Sequence, residues 1–242
     1  WTSLGPIRPD LCRRYGLPEG VAVHVGAHDS SANFYRYQAA GIDKFMLVST
    51  GTWIVALTRD ADLARLDETR GMTLNADTLG RPVAGALCMG GREFSLIAGP
   101  DWATAKADTA TVARLIGQGT FAVPSFGEND GQFPGTARRG RIAGPPPATP
   151  GERRSLAVLH AALLTAEVIA TLDPKARVIL DGSFLREPLY APLVAALRPG
   201  AVTEVSTETT GAAAGAALLA THAVRPGPVP VSLAAARPPM DL

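Results

Sequence analysis

Apolar and polar positions alternate over Val21, Val23 and Val25, and the alternation then gives way to the polar stretch GAHDSSAN at 26–33. Period two predicts a half-buried strand, and SSANFYRYQAA (30–40), closed by Gly41, predicts a helix. Two β-rich runs follow at 44–49 and 53–58, hinged at Thr50-Gly51-Thr52, and together they predict a hairpin. A further strand is expected over 83–88, then a Gly90-Gly91 turn and a helix opening at Arg92. Residues 118–151 are rich in Gly and Pro and predict a long loop. Thr149-Pro150-Gly151-Glu152 has the form of a capping box with Pro at the first helical position, and it opens a helix of about five turns that is apolar on nearly all sides. After it come a short apolar strand (177–182), a helix from about Glu187, a strand (201–205) and a helix of small residues, TTGAAAGAALLA. We therefore expect an irregular segment over 1–20, one α/β domain with a mixed sheet over 21–224, and an extended Pro-rich tail over 225–242.

Composition narrows the function. The chain has 242 residues, 46% hydrophobic and 19% charged, with a formal net charge of +1, and this near balance argues against a nucleic-acid footprint. The basic cluster Arg138, Arg139 and Arg141 sits among Gly and Pro and reads as a solvated loop. Cys12 and Cys88 are too far apart and too few for a disulfide framework, so a cytoplasmic location is expected. The longest apolar runs are interrupted by Thr, His or Glu and fall short of a membrane span, so no membrane partner is expected. The first residue is Trp1 and not Met, which reads as a fragment or a processed product.

Several familiar motifs can be set aside. Gly117-x-Gly119-x-x-Ala122 fits a dinucleotide fingerprint in letters, but it follows a helix and runs into Val123-Pro124, so it reads as a helix end. Neither a P-loop nor a G-x-S-x-G elbow occurs. His24 and His28 lack a third ligand, His160 and His222 fall in helices, and no metal site is expected. What survives is a set of glycine-centred turns, each at a strand end. Thr50-Gly51-Thr52 is an ordinary hairpin tip or a phosphate cradle. Gly90-Gly91 is close strand–helix packing or an anion site at a helix start. Asp181-Gly182-Ser183 is a left-handed turn or a place where a ligand meets backbone. Asp29 is a helix cap or an acid aimed at a substrate.

Taken together in this order, GAHDSSAN (26–33), STGTW (49–53), Gly90-Gly91, ARRGRIAG (137–144), ILDGSFLREPLY (179–190) and ETTGAAAGAALLA (208–220) resemble the C-terminal lobe of the FGGY carbohydrate kinases. The resemblance spans residues 20 to about 220 and implies an actin-like ATPase (ribonuclease H-like) domain, a mixed sheet flanked by helices. It implies an enzyme that phosphorylates a sugar or polyol hydroxyl with ATP, and ATP or ADP and a small sugar as ligands. Asp29 falls at the place of the catalytic base. Gly51 and Thr52, with Gly90 and Gly91, fall on the turns that hold nucleotide phosphates, and Asp181, Gly182 and Ser183 on the adenosine turn. Gly211, Gly215 and the alanines around them fall on a small-residue helix at the family's interdomain hinge. His28, directly before Asp29, is a substrate-side candidate and resembles the rhamnulose and fuculose kinase branch.

Departures from the pattern also shape the expectation. Asp181 stands where the family usually has Gly, and 125–136 follows the family's acidic Gly-rich segment only loosely. The family's N-terminal lobe, which would supply the Asp-x-Gly-Thr hairpin and most Mg2+ and sugar contacts, has no counterpart in this sequence. Residues 1–20 then read as the link from such a lobe, a partner the resemblance requires. The alternative reading is a degenerate, non-catalytic actin-like nucleotide-binding module, and a third is another actin-like phosphotransferase such as an acyl kinase. The oligomeric state, a homodimer among the options, is left open.

Overall fold

The computed structural model describes residues 2–208, 211–221 and 228–239. In chain order the elements are β1 (Ser3–Pro6), α1 (Pro9–Tyr15), β2 (Ala22–His24), α2 (Asp29–Ala39), β3 (Met46–Thr50), β4 (Ile54–Thr58), β5 (Met72–Ala76), β6 (Pro82–Cys88), α3 (Gly90–Ala98) and α4 (Thr109–Gly117). The second half adds β7 (Phe121–Val123), β8 (Arg141–Ala143), α5 (Pro150–Leu172), β9 (Val178–Gly182), α6 (Tyr190–Ala196), β10 (Thr203–Ser206), α7 (Gly211–Thr221) and β11 (Leu233–Ala235). They gather into two compact units, Trp1–Ile42 with Thr210–Val231, and Asp43–Thr209 with Ser232–Leu242.

The larger unit is built on a seven-stranded sheet in the order β11-β10-β9-β3-β4-β6-β5. Strand β9 runs parallel to β3 and β10, and the remaining pairs are antiparallel, so the sheet is mixed as expected. Helix α5 lies against β3, β4 and β6 and receives α3, α4 and α6 on its sides. The inner strands β3 and β9 read as nearly continuous apolar runs because both faces of the sheet are covered there. Helix α5 opens on the expected capping box, with the Glu152 N–H donating to Thr149 Oγ1 and the Thr149 N–H donating back to Glu152 Oε2.

At 23 residues α5 is long and apolar enough, by length and composition, to cross a membrane, which corrects the sequence reading of every apolar run as too short. Its polar interruptions are absorbed by the core. Thr165 Oγ1 donates to Ala161 O, and the Nδ1–H of His160 donates to Ala122 O at 2.9 Å. His160 therefore has the structural role expected of it, while His222 lies outside the described residues.

In the smaller unit β1 pairs antiparallel with β2, and α2 packs on α7 through Tyr35, Ala39 and Leu219. A Cβ at Gly215 would sit 1.9 Å from Ala32 O, so the small-residue character of α7 is what lets the two helix backbones touch.

Several expectations need correcting. Residues 2–20 are not irregular throughout: they hold β1 and α1, with Pro9 at the helix start and Gly16 as its left-handed cap. The loop expected over 118–151 contains the β7–β8 hairpin, and the Pro-rich tail contributes β11, antiparallel to β10. Strand β5 was not foreseen; it is an edge strand whose MTLNA sequence is exposed along most of its length. Helix α3 starts at Gly90, two residues before the expected Arg92, so the glycine pair belongs to its first turn. Gly117–Gly119 ends α4, as expected.

Candidate functional site

The expected glycine turns of the larger unit converge, and Thr50 joins two of them. It ends β3, opposite Ile54 on β4 and Gly182 on β9. Its hydroxyl donates to Asp181 O at 2.8 Å and accepts from the Phe184 N–H at 3.2 Å. The Ser183 hydroxyl in turn donates to Thr50 O at 3.4 Å. Thr50 is 5% exposed and its bond to Asp181 O is buried, while the bonds that involve Ser183 and Phe184 are partly buried. Gly182 has φ +107°, and a Cβ there would lie 2.1 Å from Thr50 O. Only glycine fits that combination of conformation and backbone approach.

Helix α3 meets the same place from the other side. The Gly91 N–H donates to Thr52 O at 3.0 Å, and a Cβ on Gly91 would lie 2.4 Å from Gly51 O. Gly90 is buried, and a side chain there would strike Ile54, 2.2 Å from its Cδ1. Close packing accounts for both glycines. The helix start is also less open to an anion than its sequence suggests, because the Gly91 N–H is already spent on the hairpin tip.

Gly51 differs from these. A Cβ on it would meet nothing within 4 Å. It opens, with Thr52, Gly91 and Ser183, onto a cavity of about 400 Å³. Phe94, Trp102 and Phe184 also line it, with Arg92, Arg154, Arg186 and Glu187 among the remaining groups. Phe94 meets the Trp102 ring edge-on at 6.0 Å and the Phe184 ring at 5.7 Å. Arg154 Nε donates to Glu187 Oε2 at 2.9 Å, its Nη1 donates to the Trp102 carbonyl, and its guanidinium stands 5.7 Å from the Trp102 ring centroid. Three arginines against one carboxylate give this cavity a positive balance, which favours an anionic guest. Asp181, 3% exposed, and the exposed Gly182 do not line the cavity.

Behind α3 lies a second polar group that supports the first. Glu93, buried at 3% exposure, accepts from the N–H groups of Gly127 at 2.6 Å and Phe126 at 3.0 Å, and its Oε2 stands 3.3 Å from His160 Nε2. Burial alone would raise its pKa, but the bonds from His160 and the two backbone N–H groups outweigh that and hold it below the ordinary carboxylate value. The cluster ties the segment after β7 to the helix that carries Gly91 and Arg92. Nearby, burial pushes the Cys88 thiol up to about 12, helped by the Glu93 charge, so it stays protonated and inert.

In the smaller unit Asp29 is the first residue of α2, and His28 is its N-cap. Asp29 Oδ1 accepts from the Ser30 N–H at 2.6 Å and lies 3.1 Å from His28 Nδ1. The capping position thus belongs to His28, not to Asp29, Ser30 or Ser31. The Asp29 side chain is 78% exposed, and that of His28 is open to a similar degree.

Sequence reasoning named Gly51, Thr52, Gly91 and Ser183, and the structure brings these to one cavity. It missed Thr50 as the joint, although Thr50 lay inside the quoted hairpin motif. It also missed Trp102, Arg154 and Glu187, whose meeting is tertiary and leaves no local signal.

Comparison with known proteins agrees with this geometry. A family model described as carbohydrate kinase FGGY, C-terminal domain, matches residues 43–227. Among solved structures, a carbohydrate kinase from Novosphingobium aromaticivorans is similar at 26% identity with a TM-score of 0.74, covering 98% of this chain and 51% of that one. A gluconate kinase from Lactobacillus acidophilus (14% identity, TM-score 0.71, coverage 98% and 51%) shares the fold. So does a xylulose kinase from Rhodospirillum rubrum (17% identity, TM-score 0.61, coverage 98% and 50%). The chain thus spans about half the length of the solved structures it matches. No curated protein matches it.

Proposed function

The chain belongs to the carbohydrate kinase FGGY family through its C-terminal domain, and from that premise we propose that it is the nucleotide-binding half of an ATP-dependent sugar or polyol kinase. The observation that carries this reading is Gly51: nothing in the fold requires a glycine there, yet its backbone opens onto the positively balanced cavity. A phosphate chain needs that kind of close backbone approach. In this reading Thr52 and the Gly51 backbone hold phosphate, Arg92 and Arg186 supply charge, and Phe94, Trp102 and Phe184 wall in the base. Gly90, Gly91 and Gly182 shape the site through packing, and Ser183 lines its adenosine side. Asp181 does not line the cavity, so its charge does not confront the phosphates, which favours a working site over a degenerate one.

Phosphoryl transfer is mainly positioning and charge stabilisation, so the demands on each group are modest. Asp29, exposed at the start of α2, is proposed to take the proton of the attacking sugar hydroxyl, and His28 beside it to contact the sugar. Mg2+ is the expected companion of the phosphates, but no three His, Cys, Asp or Glu side chains gather to hold a metal ion among the described residues. A sugar-binding lobe is the proposed partner.

Calorimetry of this chain with ADP tests the reading. Gly51→Ala should fold like the wild type, within about 0.5 kcal/mol, yet bind ADP about tenfold more weakly or worse. No heat from the wild type at about 1 mM ADP, a concentration that detects even weak sites, would sink the nucleotide assignment. Unchanged affinity in Gly51→Ala would remove the role given to this turn.

A further inference from the structure

The Arg154–Glu187 pair does more than close one side of the cavity. Both contacts from Arg154, through Nε at 2.9 Å and Nη2 at 2.8 Å, fall on the same carboxylate oxygen, Oε2. Among the described residues, no hydrogen bond is made to Oε1. Glu187 nevertheless lines the cavity and, among the described residues, is the one carboxylate there beside three arginines. An arginine can only donate, so the cationic groups of the cavity cannot recognise a donor on the guest. A carboxylate oxygen held in place by its neighbour can, and with little loss of side-chain freedom.

We propose that Glu187 is a specificity-determining residue: Arg154 fixes it through Oε2, so that Oε1 accepts a hydrogen bond from an N–H or O–H donor on the nucleoside part of the nucleotide. This rests on the nucleotide reading above and adds to it the group that tells one nucleoside from another. Two donors have this chemistry, the exocyclic amino group of adenine and the ribose hydroxyls. Arg154 is a positioning residue in the arrangement, because its fork is taken up by Glu187 and the Trp102 carbonyl. Lysine would keep the charge but lose the fork.

Calorimetry on this chain separates the outcomes with three probes: ADP, purine riboside diphosphate, which lacks the amino group, and dideoxy-ADP, which lacks both ribose hydroxyls. The wild type should bind ADP on the order of 10-fold or more tighter than one of the two analogues, the expected worth of a hydrogen bond to a charged group. Which analogue suffers identifies the donor. In Glu187→Gln the preference should shrink toward one, and in Arg154→Lys it should fall part of the way, with unfolding midpoints recorded for both variants. The ratio between ligands is the decisive reading, since a general loosening of the fold would weaken all three alike. A wild type that binds ADP and both analogues equally overturns the proposal and leaves the nucleotide reading standing. So does a Glu187→Gln variant that keeps the full wild-type preference. A wild type that binds none of the three overturns both.

Discussion

The turn after β9 and the start of α2 each carry residues assigned to the reaction, and their surroundings are opposite. At Gly182 the backbone of one strand presses on another, and the buried Thr50 ties the turn with hydrogen bonds to Asp181 and Phe184. At Asp29 the carboxylate is 78% exposed and, among the described residues, bonds only to its neighbours in sequence. The fold explains Gly182 completely, so its identity says little about a ligand. The fold asks of Asp29 only a helix-start charge and one bond to the Ser30 N–H, which leaves its exposed carboxylate available for another role. Residues that structure does not need are the more informative ones for function.

Substitutions that separate the two regions can break this contrast. Gly182→Ala meets both a left-handed backbone and a clash with Thr50 O, and should cost about 3–5 kcal/mol in urea unfolding. A loss below about 1 kcal/mol would mean that the junction yields and that the contrast is overdrawn. Glu93→Gln should cost about 2–4 kcal/mol at neutral pH, because it breaks a buried carboxylate–histidine contact.

The same residue sets a pH signature. Folding holds the Glu93 pKa below its ordinary 4.5, so its contribution is fully present above that value and is lost as pH falls through the lower folded value. Wild-type stability should therefore drop on acidification below about pH 4.5 more steeply than that of Glu93→Gln. Parallel acid limbs in the two proteins would show that Glu93 is not the group responsible.

Thr50→Val keeps the shape but leaves the Phe184 N–H without its acceptor, at a cost of about 1–3 kcal/mol. Equal midpoints for Thr50→Val and wild type would mean that the junction holds without its hydroxyl. Among these buried and exposed positions Asp29→Asn should disturb folding least, within about 1 kcal/mol, since a helix-end charge and not a packing contact is lost. Turnover in a protein that also carries the sugar-binding half should nevertheless fall roughly 100- to 10,000-fold. Near-normal turnover with intact folding would remove Asp29 from the chemistry.

How far the sequence discloses all this differs by kind of feature. The β3–β4 hairpin, α5 with its Thr149–Glu152 box and the Gly182 turn were readable, because apolar period, caps and glycines act within a few residues. Helix α1 had its signals too, Pro9 and Gly16, but at seven residues it is too short for an apolar period to show. Strands β5 and β11 were hidden because MTLNA and LAA are edge segments whose pairing partner, not their own pattern, makes them strands. Of the site, the glycines were legible and the Arg154–Glu187–Trp102 wall was not. Those residues come together only when α5 settles against the sheet, since its Arg154 lies 33 positions before Glu187 and 52 after Trp102 in the chain.

The bond from Thr50 to Asp181 joins residues 131 positions apart. During synthesis β3 must therefore wait for β9, at about 5–20 residues per second, for something on the order of ten seconds. Through that wait one side of an apolar strand, MLVST, is an unpaired template on the nascent chain. Non-local pairing of this kind also slows refolding, since the long loop must close before the contact is gained. The architecture that holds the cavity still in the finished protein thus places its greatest hazard at birth, when capture of that open edge by a chaperone competes with aggregation.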